Sequence, residues 1–229
     1  GGTTGFGAGT VFSGGGSTDL IGTHTVSLAS DFSHATALSF GGTVTVNGLG
    51  NYTVATGGSL AMSSGDVVNT ALNVAGSLSL AGAGNQFAAP VTVSGAMTVQ
   101  AGSTGNTIGA ALIVGATGTV RIEAGVNVSA SLAIGAGSMN AGLIELDDLA
   151  PNSANDAATL TIAAGSLVNS GTIHALNTGG GTVSSTRVVD GGLINAAGGV
   201  IDVDYDLIID NTGAIFDTAA GAIDVLAGR

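Results

Sequence analysis

A repeat of about twenty residues runs through the middle of the chain and limits the folds that it can adopt. Two consecutive passes carry apolar residues at the same offsets of four, six, ten and twelve residues, counted from Val68 and from Phe87. The repeated positions are Leu72, Val74, Leu78 and Leu80 in one pass, and Val91, Val93, Met97 and Val99 in the next. Ile108 and Val128 start two further passes, so the starting positions are spaced by 19, 21 and 20 residues. A regular period of this length indicates stacked structural repeats.

Each repeat reads as short strands joined by tight corners. The apolar residues come in pairs separated by one residue, as in "LNV", "LSL" and "VTV", and this alternation is typical of strands with one inward face. The intervals between them, such as "AGAGN" and "AGSTGN", supply the Gly, Asn, Ser and Thr that corners favour. Because β-branched residues and glycine dominate and no stripe with a 3.6-residue period is sustained, helix is disfavoured.

Three architectures are built from short strands: sandwiches, propellers and solenoids. Propeller blades need repeats about twice as long, and a sandwich would not keep one apolar register through four passes. Stacked coils must keep it, because each strand pairs with the equivalent strand of the next coil. The sequence therefore predicts an all-β parallel β-helix with about 20 residues per coil, in which Leu72, Val91, Leu112 and Leu132 share one apolar column.

The chain divides into four predicted regions. Residues 1–42 form an N-terminal cap or the first coils and contain four of the six phenylalanines; residues 43–144 form regular coils. Residues 145–159 form a projecting acidic loop, which is either simply solvated or a metal or partner contact. Residues 160–229 form C-terminal coils with Asn-Gly turns. The phenylalanines are Phe6, Phe12, Phe32 and Phe40, and the acidic residues of the loop are Glu145, Asp147, Asp148 and Asp156.

The charge balance excludes some partners. The chain has 15 acidic residues, three arginines and no lysine, with a formal net charge of −12, so it would be repelled by nucleic acid and by anionic membrane surfaces. No window approaches the length of an apolar membrane-spanning helix. There is no cysteine, which excludes disulfides and thiol chemistry.

Three segments of the C-terminal region share a motif of an apolar pair, an asparagine and a glycine turn: "LVNSGTI", "LINAAGGVI" and "IIDNTGAIF". Asn169, Asn195 and Asn211 are the asparagines of these motifs, either stacked and buried at equivalent corners or exposed in turns. With these motifs the chain resembles the β-helical segments of large bacterial surface proteins: autotransporter passengers, filamentous-haemagglutinin-type adhesins and giant secreted adhesins. The resemblance implies a right-handed solenoid, secretion to the bacterial cell surface and a role as a rod, spacer or adhesive surface, with host or matrix surfaces as partners.

The segment "IDVDYDLIID" places a carboxylate at every second position. If it forms one strand, Asp202, Asp204 and Asp206 face water about 6.5–7 Å apart, while the apolar residues between them face the core. This row is either a solvated face that discourages edge pairing or a calcium site completed by donors from adjacent coils, such as Asp190, Asp217 or Asp224. Asp202, Asp204 and Asp206 are thus the candidate metal ligands, with calcium as the only cofactor considered.

Enzymatic activity is not expected. Polysaccharide lyases with this architecture need basic residues, and the chain offers only two arginines besides the last residue. His24, His34 and His174 show no regular spacing with carboxylates and are interpreted as surface or corner residues. The sequence therefore predicts a non-enzymatic extracellular rod or spacer joined to flanking domains, with two alternatives: a subunit that stacks end to end with identical copies, or a calcium- or glycan-binding module.

Overall fold

The chain folds into strands throughout the part of it that is described. The computed structural model describes residues 2–7, 10, 12, 15–149, 156–180, 186–211, 215–218 and 220–225. These residues form 27 strands and no helix. In chain order the strands are β1 (Gly2–Phe6), β2 (Ser17–Leu20), β3 (His24–Leu28), β4 (Phe32–His34), β5 (Ala37–Phe40), β6 (Val44–Gly48), β7 (Tyr52–Val54), β8 (Ser59–Met62), β9 (Val67–Val68), β10 (Leu72–Val74), β11 (Ser77–Leu80), β12 (Gln86–Phe87), β13 (Val91–Val93), β14 (Ala96–Val99), β15 (Asn106–Ile108), β16 (Leu112–Val114), β17 (Thr119–Ala124), β18 (Ala130–Ile134), β19 (Met139–Asn140), β20 (Leu143–Asp148), β21 (Ala157–Asn169), β22 (Thr172–Leu176), β23 (Thr186–Asn195), β24 (Val200–Val203), β25 (Leu207–Asp210), β26 (Phe216–Asp217) and β27 (Ala222–Val225).

Successive strands occupy three faces, and the chain winds through them in about nine coils. Each pairing between these strands is parallel and joins equivalent strands of successive coils, which confirms the predicted parallel β-solenoid. Face one begins with β1, β3 and β6; face two begins with β4, β7 and β10; face three is the ten-stranded sheet from β2 to β27. β21 and β23 continue around the corner from face one to face two and join these faces into one 17-stranded sheet.

The core is a set of inward-facing files, a file being the residues that occupy one position in successive coils. On face three one file contains Leu60, Leu78, Met97, Val120 and Ile144, all of which are buried. Their neighbours in sequence point outward, as the alternation predicts. Removing each such side chain from water stabilises the fold by about 1.5–3 kcal/mol, so stability accumulates along the stack.

The predicted column of Leu72, Val91, Leu112 and Leu132 is correct for its first three members. Leu72 pairs with Val91, and Val91 pairs with Leu112. Leu132 was assigned to the wrong file, because it lies on face one between Asn106 and Leu160.

An additional turn causes this error. Gly125 and Val128 exchange backbone hydrogen bonds in an antiparallel bridge, and Asn127 between them adopts a left-handed φ of 56°. The turn lengthens its coil, so the partner of Ile108 is Ile134 and not Val128, which is an exposed turn residue. The period of twenty is therefore an average: Leu78 and Met97 are 19 residues apart, whereas their equivalents Ile144 and Ile173 are 29 apart.

The N-terminal region consists of first coils that contain an aromatic cluster. The ring of Phe6 stacks on Phe32 at 4.7 Å between centroids, and Phe12 meets both rings edge-on. Tyr52 continues the cluster in the next coil. Phe40 lies apart from it, in the buried file of face three between Leu20 and Met62.

The predicted acidic loop at 145–159 has the wrong boundaries. Glu145, Asp147 and Asp148 belong to β20, which pairs with β17 and β22, and the carboxyl-bearing side chains of Asp147 and Asp148 are fully buried. Asp156 is buried immediately before β21. Residues 150–155 lie outside the described residues. The sequence resembles a loop here because the arginines that pair with Asp147 and Asp148 are distant in the chain.

The part of the chain that is described contains no long apolar helix of the kind that spans a bilayer.

Candidate functional site

Charged side chains concentrate in one outward-facing file of face three. Its members pair in register from β17 to β27, and we call it the charged file: Arg121, Glu145, His174, Asp202 and Asp224. Earlier coils place Ser39, Ala61, Ser79 and Thr98 at the same position. Ionisable residues that are far apart in sequence thereby lie on neighbouring strands, whose backbones are about 4.8 Å apart.

Arg121 organises the first part of the charged file. Its guanidinium contacts the Asp147 carboxylate directly, and its Nε lies 3.4 Å from Glu123 and 3.7 Å from Glu145. Asp147 also accepts hydrogen bonds from the backbone amide and the hydroxyl of Thr178, at 2.9 and 2.7 Å. Burial alone would raise the pKa of Asp147, but the hydrogen bonds from Thr178 and Arg121 outweigh it and lower that pKa.

The second part of the file brings a histidine between two carboxylates. His174 Nε2 lies 3.0 Å from Asp204 Oδ2 and 3.8 Å from Asp202 Oδ2. One ligand atom from each of these residues lies within 4.8 Å of the other two. A ring nitrogen and two carboxylate oxygens at this separation form a candidate metal site.

This arrangement differs from the predicted row of equally spaced carboxylates. β24 ends at Val203 and the backbone bends at residues 204–205, so "IDVDYDLIID" spans a corner between faces and is not one strand. Asp202 and Asp204 converge on His174. Asp206 is exposed beyond the bend, beside an open cavity that is lined also by Val203, Tyr205, Leu207 and Val225. It does not belong to the cluster that contains the other two predicted ligands.

No pattern in the sequence indicates His174 as the partner of Asp202 and Asp204. It lies 28 residues before Asp202 in a region where the coils are longest. Only the register of the coils places it beside the aspartates, and a period of twenty residues does not predict that register.

A second ion pair lies inside the solenoid. Arg187 follows Ala130 and Ala158 in an inward-facing file, where the small side chains leave room for its guanidinium. The Arg187 side chain is fully buried, donates from Nε to the carbonyl of Leu176 at 2.9 Å and lies 3.8 Å from Asp148. Its guanidinium carbon also lies 4.6 Å from the centre of the Tyr205 ring. Burial lowers the pKa of Arg187, although an arginine keeps its proton.

A ladder of asparagines is buried at one corner. Asn140 Nδ2 donates to Asn169 Oδ1, and Asn169 Nδ2 donates to Asn195 Oδ1, each at 2.7 Å. Asn195 Nδ2 continues the ladder to the carbonyl of Ala222 at 2.9 Å. The stacked interpretation is confirmed for Asn169 and Asn195. Asn211 is exposed after β25 and does not belong to the ladder, whose remaining member is Asn140.

The glycine of the motif has a steric role at the same corner. A Cβ on Gly171 would collide with the backbone of Gly142 in the previous coil. In the Asn-x-Gly motif the asparagine amide therefore forms hydrogen bonds along the stack. The glycine, which has no Cβ, allows successive corners to lie directly above one another.

A second polar ladder interrupts the core of face one. Asp66, Asn85 and Asn106 follow Val44 in one file and are fully buried. Asp66 Oδ1 accepts from the amide of Val44 at 2.7 Å, and the amide of Asp66 donates to Asn85 Oδ1 at 3.0 Å. Burial raises the pKa of Asp66 to about 6, more than the hydrogen bond from Val44 lowers it.

The three histidines have different environments. His24 Nε2 lies 2.7 Å from the carbonyl of Ile21. His34 is buried in the aromatic cluster, where Nδ1 donates to the carbonyl of Thr36 and Nε2 accepts from the Tyr52 hydroxyl at 3.1 Å. His34 is therefore not a surface residue, although as the last residue of β4 it does lie at a corner. Burial lowers the pKa of His34, which favours the neutral ring that these two hydrogen bonds require.

Comparison with protein-family models, with curated proteins and with solved structures finds no match. Function is therefore inferred from the side chains and the ladders of this chain.

Proposed function

We propose that this chain is a non-enzymatic extracellular structural module, a rod or spacer of a bacterial surface adhesin. The observation that supports the proposal best is the stacking of three parallel faces, in which the described strands between Gly2 and Val225 pair from coil to coil. Each coil contacts mainly its two neighbours, so each added coil lengthens the fold along one axis. The assignment to a surface adhesin is supported by the resemblance of the Asn-Gly motifs to β-helical segments of such proteins.

The basic groups support a structural role. Arg121 is paired with Asp147, and Arg187 is buried beside Asp148. A lyase acting on acidic sugars needs cationic side chains that face its substrate, and these two guanidinium groups neutralise carboxylates of the chain itself. Both arginines therefore stabilise coils.

Localisation can be tested on the source cells. We expect antibodies against the purified chain to label intact, unpermeabilised bacteria in immunogold micrographs, and external protease to remove that label. Labelling that requires permeabilisation would overturn the proposal. A cytoplasmic marker protein, which must stay unlabelled and intact, controls for lysis.

End-to-end stacking of identical copies is the second candidate, and the last described coil favours it. No described strand pairs with the outer edges of β25, β26 and β27, and Ile208, Ile215, Phe216, Ile223 and Val225 are exposed there. An open parallel edge with apolar side chains is a template for another chain. Stacking in register on β2 would, however, place Asp19 of one copy beside Asp224 of the next, since Asp19 holds in β2 the outward position that Asp224 holds in β27.

The two candidates differ in their response to the charge at this edge. Two ionised carboxylates at about 4.8 Å repel each other, so stacking predicts uniform fibres that form more readily in an Asp224→Asn variant than in the wild type. A rod predicts monomers by light scattering for both proteins.

A further inference from the structure

The cluster on the outer surface of face three has the donor set of a transition-metal site. His174 offers an imidazole nitrogen, and Asp202 and Asp204 each offer a carboxylate oxygen. Their side chains are 22%, 38% and 44% exposed, so an ion from solution can reach them. We propose that His174, Asp202 and Asp204 bind one divalent transition-metal ion, with Zn²⁺ as the preferred occupant, and that this ion fastens two adjacent coils.

The distances fit a small ion. Zinc–nitrogen and zinc–oxygen bonds of about 2.0–2.2 Å in tetrahedral geometry bring ligand atoms to about 3.3 Å from one another. His174 Nε2 lies 3.0 Å from one aspartate oxygen and 3.8 Å from the other, and these separations bracket that value. Small rotations of the two carboxylates would bring all three ligand atoms to bonding distance of one ion. The fourth position of the tetrahedron faces solvent and would be filled by water.

The donor types favour zinc over calcium. Calcium takes six to eight oxygen ligands, whereas a nitrogen and two carboxylate oxygens suit zinc and its first-row neighbours. The third carboxylate of the predicted calcium set, Asp206, lies beyond the bend that follows β24. The proposed ligand set therefore contains His174 in place of Asp206, and the proposed ion is zinc in place of calcium.

The surrounding charges favour a cation. Glu145 precedes His174 in the charged file, and Asp224 follows Asp202. The nearest arginine in the file, Arg121, is already engaged with three carboxylates. One histidine does not balance this excess of negative charge, and the chain contains no lysine. A divalent cation between Asp202 and Asp204 would offset their mutual repulsion.

The backbone holds the ligands in place before an ion arrives. His174 lies in β22 and Asp202 in β24, which are paired strands of face three. Asp204 is fixed by its amide, which donates to the carbonyl of Ala175 at 3.1 Å. Because the ligands come from two coils, a bound ion resists their separation and stabilises the folded state by mass action.

The direct test is calorimetric titration of tag-free, chelator-treated protein with zinc chloride. We expect one binding site per chain, and at least tenfold weaker binding in His174→Gln and in Asp204→Asn. His24→Gln and Asp19→Asn are the matched controls, since they remove a surface histidine and an outward carboxylate at the other end of the solenoid and should bind zinc as the wild type does. Zinc affinity that is equal in His174→Gln and the wild type, or no zinc binding by the wild type, would overturn the proposal.

Two further measurements distinguish the ion and its effect on the fold. Cobalt(II) should give visible absorption bands with the wild type that are absent with His174→Gln. Zinc should raise the thermal midpoint of the wild type and of Asp19→Asn by several degrees, and leave that of His174→Gln unchanged. Stabilisation by calcium with no stabilisation by zinc would contradict the assignment of the ion.

Discussion

The side-chain amide of Asn169 donates a hydrogen bond of 2.7 Å to Oδ1 of Asn195, although 26 residues separate them in the chain. Both side chains are buried, and the bond runs along the stack beside the backbone hydrogen bonds of the sheet. A buried amide is costly unless its donors and acceptors are paired. The ladder therefore fixes which coil lies above which.

Replacing the central amide of this ladder should strongly destabilise the solenoid. Asn169→Ala removes the bonds to Asn140 and Asn195 and leaves their polar atoms buried, so we expect the free energy of unfolding to fall by about 2–5 kcal/mol. Urea denaturation followed by circular dichroism measures it. Asn211→Ala is the control, because Asn211 is exposed and its loss should change stability by less than about 0.5 kcal/mol. Equal effects of the two substitutions would show that the ladder does not stabilise the fold.

Loss of Arg121 should destabilise the protein in a pH-dependent way. Arg121→Gln leaves the buried Asp147 carboxylate without its cation, and we expect a loss of about 3–5 kcal/mol at pH 7. The pKa of Asp147 is lowered in the folded protein, so the stability that its ionised form contributes is present above the ordinary aspartate pKa and is lost as pH falls through the folded pKa. The difference between variant and wild type should therefore shrink below about pH 4.

Denaturation curves from pH 3 to pH 7 test this dependence. Glu123→Gln is the matched control, since Glu123 contacts the same guanidinium from a partly exposed position and should cost little. A loss in Arg121→Gln that is constant over this pH range would contradict the role given to Asp147.

Asp66 should be a source of instability at neutral pH. Its pKa is raised to about 6 in the folded protein, so its contribution to stability is fully present below the unfolded-state pKa near 4 and is lost as pH rises through about 6. Asn85 and Asn106 donate from Nδ2 toward Gly82 and Ser103, the residues three positions earlier, and an asparagine at position 66 could donate to Ser63 in the same way. We expect Asp66→Asn to be more stable than the wild type by about 2 kcal/mol at pH 8 and similar to it at pH 4.

The measurement is urea denaturation at the two pH values. Asp31→Asn serves as the control, because Asp31 accepts a hydrogen bond from the Asn51 amide at the exposed surface. An Asp66→Asn variant that is less stable than the wild type at pH 8 would show that the ionised carboxylate is required there.

The inward and outward assignments of face two can be tested at two adjacent residues. Leu112 is fully buried in the file after Val91, whereas Ile113 points outward beside Met139. Leu112→Ala should lower the free energy of unfolding by about 2–5 kcal/mol because it leaves a cavity, and Ile113→Ala by less than about 1 kcal/mol. Thermal or urea denaturation measures both, and a larger effect at Ile113 would invert the assignment.

The fold was predictable because its strands alternate regularly between apolar and small or polar residues. Leu72, Val91 and Leu112 fall at equal offsets in coils of similar length, so their shared file is visible in the sequence. The predicted register between coils fails at the turn around Asn127. This turn adds residues to its coil, but the alternation of the flanking strands does not reveal it.

The polar groups were only partly predictable, for a related reason. Asp202 and Asp204 attract attention as closely spaced carboxylates, and Asn169 and Asn195 share a motif. Their partners His174 and Asn140 lie one coil away, at separations of 28 and 29 residues, in coils whose lengths vary. Asp147 and Asp148 resemble loop residues because the sequence does not show the arginines that compensate their burial.

The stacking of coils is tested most directly by distances between spin labels in the charged file and its extension toward the N-terminus. The chain has no cysteine, so pairs of introduced cysteines can be labelled specifically. Asp19 lies four, six and eight coils from Thr98, Glu145 and Asp202. At about 4.8 Å per coil, pulsed electron paramagnetic resonance on these three pairs should give distances near 19, 29 and 38 Å, rising by about 10 Å at each step. Distances that do not rise in this order would contradict the solenoid on which the proposed function depends.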